Sequence, residues 1–190
     1  LYTDAKSIPV LNESYTFLGT GRIMGLPIQL YFIVIVIIIT SFILNRTQFG
    51  RHMYATGGNR IAAEYSGIKV KRVEFTAYVI SGFLAAIAGI LTIGRTFTAT
   101  MIMGQGAEMD AISACVLGGV SMSGGRGAIS GTVIGAILIA VLSNGMNLLG
   151  IDSSWQYIIR GLVVILAVYI DYLRTSGFAI LGKFKKSKNA

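Results

Sequence analysis

The stretch FGRHMYATGGNRIAAEYSGIKVK, residues Phe49 to Lys71, is the longest polar segment of a very apolar chain. It lies between two hydrophobic runs that are each long enough to cross a bilayer. It is rich in basic residues, and Glu64 is its only acid. Because basic connectors between membrane spans stay on the cytoplasmic side, this polar segment predicts a chain that crosses inward and then crosses back.

The middle of the polar segment predicts a short helix. Asn59 is a candidate N-cap, good helix formers follow as far as Ser66, and Gly67 is a stop signal. Gly57 and Gly58 precede the helix as breakers. Two interpretations remain open on these residues alone: a solvated loop whose charges orient the protein, or a docking helix that a cytoplasmic partner binds.

The composition identifies the class of protein. Hydrophobic residues make up 54% of the chain, charged residues 13%, and the mean hydropathy is +0.71. The apolar residues come in long blocks, whereas a soluble domain scatters them with a helix or strand period. These features predict an all-α, multi-span helical membrane protein. A transmembrane barrel would need alternating segments of about ten residues, which the sequence lacks.

The net charge of +8 does not indicate a nucleic-acid partner. Most basic residues lie between or after the apolar blocks, where membrane topology and anionic membrane lipid account for them. The single cysteine, Cys115, offers no disulfide or metal framework. No secretory signal is visible and the chain begins with Leu1, so we expect a piece of a longer protein.

The apolar blocks predict about five transmembrane helices in a single transmembrane domain, 26–173. The predicted spans are 26–44, 75–93, 108–123, 129–149 and 155–172. The remaining parts are an extracytoplasmic segment, 1–25, a cytoplasmic loop, 46–72, and a basic cytoplasmic tail, 174–190. The third run is short and also fits a re-entrant arm. The positive-inside rule favours a crossing, because otherwise the basic tail would face outside.

The fourth span contains two patterns of small or polar residues. Gly127, Gly131 and Gly135 form a double G-x-x-x-G, which predicts a helix-packing face, either between subunits or within one bundle. Asn144 and Asn147 are three residues apart on the outer half of this span. Their amides either line a path for a polar solute or hydrogen-bond a neighbouring helix.

Few residues are candidates for chemistry. Arg160 lies about one turn inside the last span, where a charge is either functional or reaches back to the interface. Glu108 and Asp110 precede the third run, as an acid pair or as a helix start favoured by the dipole. His52 has no second His or Cys nearby, so no metal site is expected. We predict no catalytic residues.

Several stretches resemble the permease subunits of ribose-type ABC importers in motif, order and spacing. They are GRHMYATGGNRIAAEYSGIKVKRVEFTAYVISGFLAAIAGI, GAEMDAISACVLGGVSMSGGRGAISGTVIGA and LSNGMNLLGI. The resemblance covers nearly all of Gly21 to Asp171 and implies the C-terminal half to two-thirds of a permease. It implies import of a monosaccharide such as ribose, xylose or galactose across the bacterial inner membrane, with the C-terminus cytoplasmic.

The resemblance also implies partners. These are an ABC ATPase, a second permease subunit that is identical or closely related, a periplasmic or lipid-anchored sugar-binding protein, and membrane lipid. The permease would bind no cofactor, because ATP is used by the partner subunit. Nucleic acid is not an expected partner.

The family's coupling helix, often E-A-A-x-x-x-G, matches Ala62, Ala63 and Gly67, although Ile61 stands at the glutamate position. Arg60 and Glu64 are four apart on one face of this helix. The residues that the resemblance assigns to the ATPase contact are Arg51, Tyr54, Gly57, Asn59, Arg60, Ala62, Ala63, Glu64 and Gly67.

Two other classes of function fit the sequence less well. A secondary transporter or channel driven by an ion gradient would want acids in the middle of its spans, and no clear one is present. An intramembrane enzyme would want paired catalytic residues in the spans, which are also missing.

Overall fold

The computed structural model describes residues 7–9, 17 and 19–187, with side chains as far as Tyr172 apart from residue 170. The predicted segments 1–25 and 174–190 therefore lie partly outside the described residues. The chain forms two compact units, Leu1–Gln105 and Gly106–Ala190.

The first unit contains four helices and four very short strands among its described residues. The helices are α1 (Ile28–Arg46), α2 (Gln48–Gly58), α3 (Arg60–Tyr65) and α4 (Val70–Thr96). The strands are β1 (Ile8–Pro9), β2 (Arg22–Ile23), β3 (Leu26–Pro27) and β4 (Thr98–Ala99). β1 pairs with β4 and β2 pairs with β3, both antiparallel.

Helix α1 forms from a β-branched run that would favour a strand in water. Pro27 stands at its N-cap in an extended conformation, and the next 19 residues are helical. A helix satisfies its own backbone hydrogen bonds, which is the requirement in a bilayer core. Length and composition together therefore outweigh local propensity here.

The second unit contains α5 (Ala107–Leu117), α6 (Ile129–Leu148) and α7 (Ser153–Ser187). Helix α5 packs on both α6 and α7. The loop 118–128 joins α5 to α6. Its Ser121 hydroxyl donates to Asp171 Oδ2 of α7 at 3.2 Å, and its Ser121 N–H donates to the Arg126 carbonyl at 3.0 Å.

Within the described residues, three helices are long and apolar enough to cross a membrane: α1, α4 and α6. A shorter apolar stretch, Ser153–Tyr169, lies within α7. The all-α, multi-span class predicted from the sequence is thus confirmed. The number of crossings stays a prediction.

Two predicted spans differ in detail from the helices. Helix α4 begins at Val70, so Lys71 and Arg72, placed in the loop by their charge, are helical. Lysine and arginine are good helix formers, and charge marks the edge of the apolar run but does not mark the end of the helix. Helix α5 has 11 residues and rises only about 16 Å. A crossing by 108–123 would therefore need the non-helical residues after Leu117 as well.

Candidate functional site

Helix α2 turns tightly against the end of α1. The Thr47 side chain caps α2 by accepting a hydrogen bond from the Gly50 N–H at 3.3 Å. Gly50 is buried, and a Cβ there would lie 2.1 Å from the Leu44 carbonyl oxygen. Only glycine allows this approach, so α1 and α2 meet backbone against backbone.

Sequence reasoning missed α2. It treated Gly57 and Gly58 as breakers, but both belong to the last turn of this helix. The signal was available: Thr47 is a good N-cap residue, and Phe49 and Met53 are four residues apart. Both line a small apolar cavity of about 80 Å³ together with residues of α1 and α4.

Helix α3 has the caps that the sequence predicts. The Asn59 Oδ1 accepts a hydrogen bond from the Ala62 N–H at 3.0 Å. At the other end, Gly67 has φ +81°, its N–H donates to the Glu64 carbonyl, and the Ile68 N–H donates to the Ala63 carbonyl. This pair of bonds is a Schellman motif. The predicted short helix between 59 and 66 is confirmed.

The residues assigned to the ATPase contact are not equally accessible. Those that are exposed are Arg51, Gly57, Asn59, Arg60, Ala62, Glu64 and Gly67, and Tyr54 is half-buried. Ala63 is only 4% exposed, so its side chain packs inside the first unit and is not presented to a partner. The contact itself stays a prediction.

The ATPase contact set predicted from the sequence leaves out two apolar side chains of α3. Ile61 is 67% exposed and Tyr65 is 90% exposed. They are four residues apart and so share one face of the helix. The sequence did indicate this apolar face, because Ile61 places a large apolar side chain where the E-A-A pattern has a charged glutamate.

Arg60 pairs with a residue outside its own helix. Its Nη1 lies 3.0 Å from Glu74 Oε1 and its Nη2 donates to Glu74 Oε2 at 3.3 Å. The sequence placed Arg60 and Glu64 on one helical face. The partner found in the structure lies in the first turns of α4, beyond the reach of a helix-period rule.

A polar cluster joins the three helices of the second unit. Arg160 Nη1 of α7 lies 3.3 Å from Asp110 Oδ2 of α5, and Arg160 Nη2 donates to Ser143 Oγ of α6 at 3.3 Å. The guanidinium also lies 5.9 Å from the centre of the Tyr157 ring. The Arg160 side chain is 16% exposed, so it is paired inside this unit and does not reach out to an interface.

Asn144 and Asn147 have different surroundings. The Gln156 Nε2 donates to Asn147 Oδ1 and to the Ile151 carbonyl, both at 2.9 Å. Asn147 therefore takes part in a contact between α6 and α7. Asn144 is exposed. A role of either amide in a solute path stays a prediction.

The double G-x-x-x-G brings α6 into backbone contact with α5. A Cβ on Gly131 would lie 2.0 Å from the Gly118 carbonyl oxygen, and one on Gly135 would lie 2.0 Å from the Ala114 carbonyl oxygen. A Cβ on Gly127 would instead meet the Val120 side chain at 3.1 Å. These glycines pack within the chain, which is the second of the two interpretations given above.

No group of three or more His, Cys, Asp or Glu side chains that could hold a metal occurs among the described residues. Two pairs of oppositely charged side chains are in contact, Arg60 with Glu74 and Asp110 with Arg160.

Apolar helices of spanning length, close-packed glycines and a capped helical connector define a multi-span helical membrane protein. The chain belongs to the family described as branched-chain amino acid transport system, permease component, whose model matches residues 2–168. The resemblance to permease subunits found in the sequence is thereby confirmed.

Several curated relatives carry transport names. The ribose import permease protein of Bacillus subtilis is 44% identical over 173 residues, covering 90% of this chain and 54% of the relative. The xylose transport system permease protein of Haemophilus influenzae is 44% identical over 147 residues, covering 77% and 39%. The L-arabinose transport system permease protein of Escherichia coli is 40% identical over 171 residues, covering 90% and 52%.

The chain spans about half the length of the ribose and arabinose relatives, and less of the xylose relative. No solved structure matches it.

Proposed function

We propose that this chain is part of the membrane-spanning permease subunit of an ATP-driven importer for a monosaccharide, in the bacterial inner membrane. The family description mentions branched-chain amino acids, whereas relatives 40 to 44% identical are named for ribose, xylose and arabinose. We give the relatives more weight, because a family description covers far more distant members than these. The imported solute is therefore a sugar in this proposal.

The observation that supports the coupling role best is the outward face of α3. Ile61 and Tyr65 are large, apolar and strongly exposed, in the most polar part of the chain. Exposed apolar side chains rimmed by polar ones are typical of protein interfaces. The polar rim here consists of Arg60 and Glu64, both exposed. An ATPase subunit with an apolar groove is the partner that this face would fit.

In the proposed mechanism the energy comes from the partner. ATP binding closes the pair of ATPase subunits, the docked α3 helices move with them, and the spans change which side of the membrane they open to. In this mechanism the chain provides the translocation path for the sugar and transmits the movement of α3 to the spans. The ATPase subunit hydrolyses the ATP. A second permease subunit and a sugar-binding protein complete the assembly, and the C-terminus faces the cytoplasm.

The test is co-purification from detergent-solubilised membranes of the protein as its host makes it. We expect a sugar-importer ATPase to accompany the wild type and to be lost with Ala62→Asp combined with Gly67→Arg. Ala62 is exposed, so the aspartate puts a charge on the docking face, and Gly67 has φ +81°, which disfavours a side chain. Loss of the ATPase with Ile61→Ser would assign the apolar face directly.

The matched control is Ile102→Ser, a comparably exposed isoleucine outside the polar segment, at 74% against 67% for Ile61. It should retain the ATPase. Absence of any ATPase from the wild-type preparation would overturn the proposal and favour the transporter driven by an ion gradient.

A further inference from the structure

We propose that Glu74 is a positioning residue that fixes α3 against the start of α4, so that a displacement of α3 is passed to the membrane span. The inference rests on the proposed coupling role of α3. It concerns the ion pair with Arg60, which the coupling-helix pattern in the sequence does not include.

The geometry of the pair fixes orientation as well as distance. Two guanidinium nitrogens of Arg60 face the two carboxylate oxygens of Glu74, at 3.0 and 3.3 Å. A two-point contact between these planar groups restricts rotation in a way that a single contact does not. The two residues belong to different helices, so the pair restrains one helix against the other.

The backbone supplies a second, independent attachment. Only Ser66 to Lys69 separate α3 from α4, and the Schellman bonds close this turn. Ala63, Val70 and Val73 are buried, at 4%, 4% and 8% exposure, so apolar side chains of both helices are covered around the turn. A turn alone would act as a hinge. A turn together with a side-chain clamp makes the two helices move as one body.

The solvent exposure of the Arg60–Glu74 pair indicates that its main contribution is not to folding stability. The Arg60 and Glu74 side chains are 59% and 38% exposed. Ion pairs this exposed contribute little to folding stability. The chain can therefore fold without this pair, and its effect should appear in the transmission of movement. Lys71 and Arg72 are exposed cations of the same helix start, with no ion pair to described residues.

The experiment measures sugar imported per ATP hydrolysed, in proteoliposomes containing the complete transporter. We expect Glu74→Gln and Arg60→Gln each to lower this ratio about two- to fivefold, the range that an exposed pair can account for. ATPase co-purification and protein yield should stay at wild-type levels with Glu74→Gln. The exchange of both charges, Arg60→Glu with Glu74→Arg, should recover most of the ratio. Lys71→Gln removes a neighbouring charge and should leave it unchanged.

The outcomes separate this inference from the proposal beneath it. A wild-type protein that binds no ATPase, or whose uptake needs no ATP, removes the proposed function and the inference with it. An ATP-dependent wild type whose ratio is unaffected by Glu74→Gln removes the inference alone. An effect of Arg60→Gln without one of Glu74→Gln would place Arg60 on the partner and likewise overturn the role of Glu74.

Discussion

At the scale of single residues, glycines set the distance between α5 and α6. Ordinary helix pairs are separated by side chains, whereas here Gly131 and Gly135 let backbone carbonyls of α5 approach the surface of α6. In lipid, such close approach replaces the hydrophobic effect as the source of helix association. The effect of adding one methyl group should therefore depend strongly on position along α6.

We predict that Gly135→Ala destabilises the protein by about 1 to 3 kcal/mol, the usual cost of overpacking. The new Cβ would lie 2.0 Å from the Ala114 carbonyl oxygen, which is backbone and cannot rotate away. The control is Gly145→Ala in the same helix, where a Cβ meets nothing within 4 Å. It should be neutral or slightly stabilising, because alanine favours helix. Thermal unfolding in detergent measures both, and equal midpoints would contradict the prediction.

Sequence rules predict a structural feature correctly where the contacts that determine it join residues close together in the chain. Asn59 and Gly67 were assigned as the ends of α3 because capping depends on bonds within a few residues. The partners of Arg60 and Arg160 were not found, because Glu74 is 14 residues and Asp110 is 50 residues away. Choosing among such distant charges requires the packing of helices, which one sequence does not reveal. The fold class followed from composition alone.

At the scale of elements, α5 depends on its neighbours. Eleven residues make about three turns, which is marginal for an isolated helix. The Asp110–Arg160 pair ties its first turn to α7, and the glycine contacts tie its last turns to α6. The pair is incompletely satisfied, since Asp110 Oδ1 and Arg160 Nε are buried without a hydrogen-bond partner among the described residues.

We predict that Arg160→Gln costs about 1 to 3 kcal/mol, because it leaves the Asp110 carboxylate partly buried without its charged partner. Adding Asp110→Asn should restore part of the loss, since the unpaired charge is then removed as well. Glu108→Gln alters an exposed acid on the same turn and should have little effect. Unfolding midpoints for the single and double variants give the coupling energy. Additive losses would show that the two charges do not stabilise each other.

At the scale of the whole molecule, the membrane orientation of α6, α7 and the C-terminus depends on whether the segment that begins with α5 crosses the membrane. If residues 108–123 cross the membrane, residues 124–127 are cytoplasmic, and so is the C-terminus. If they enter and return, both lie outside. The positive-inside rule favours the first arrangement. The 11 residues of α5 are too few to cross a bilayer as a helix, which favours the second.

Labelling of single cysteines tests this topology. With Cys115→Ser as background, we predict that Ser123→Cys reacts with a membrane-impermeant maleimide only in inside-out vesicles. Ser123 is exposed in the loop. Ser66→Cys, also exposed, marks the cytoplasmic side, and Met101→Cys marks the opposite side. Labelling of Ser123→Cys in the same vesicles as Met101→Cys would mean that α5 is re-entrant.

The length of α4 has a consequence for the lipid around the protein. Its 27 residues rise about 40 Å, roughly 10 Å more than the hydrocarbon thickness of a typical bilayer, and the extra length includes the charged end turns with Lys71, Arg72 and Arg95. The charged first turn, with Lys71 and Arg72, resists immersion, so α4 meets a change in thickness by changing its tilt. Since α3 is attached to that same end, we expect bilayer thickness to shift α3 relative to the membrane surface if α4 spans the bilayer as predicted.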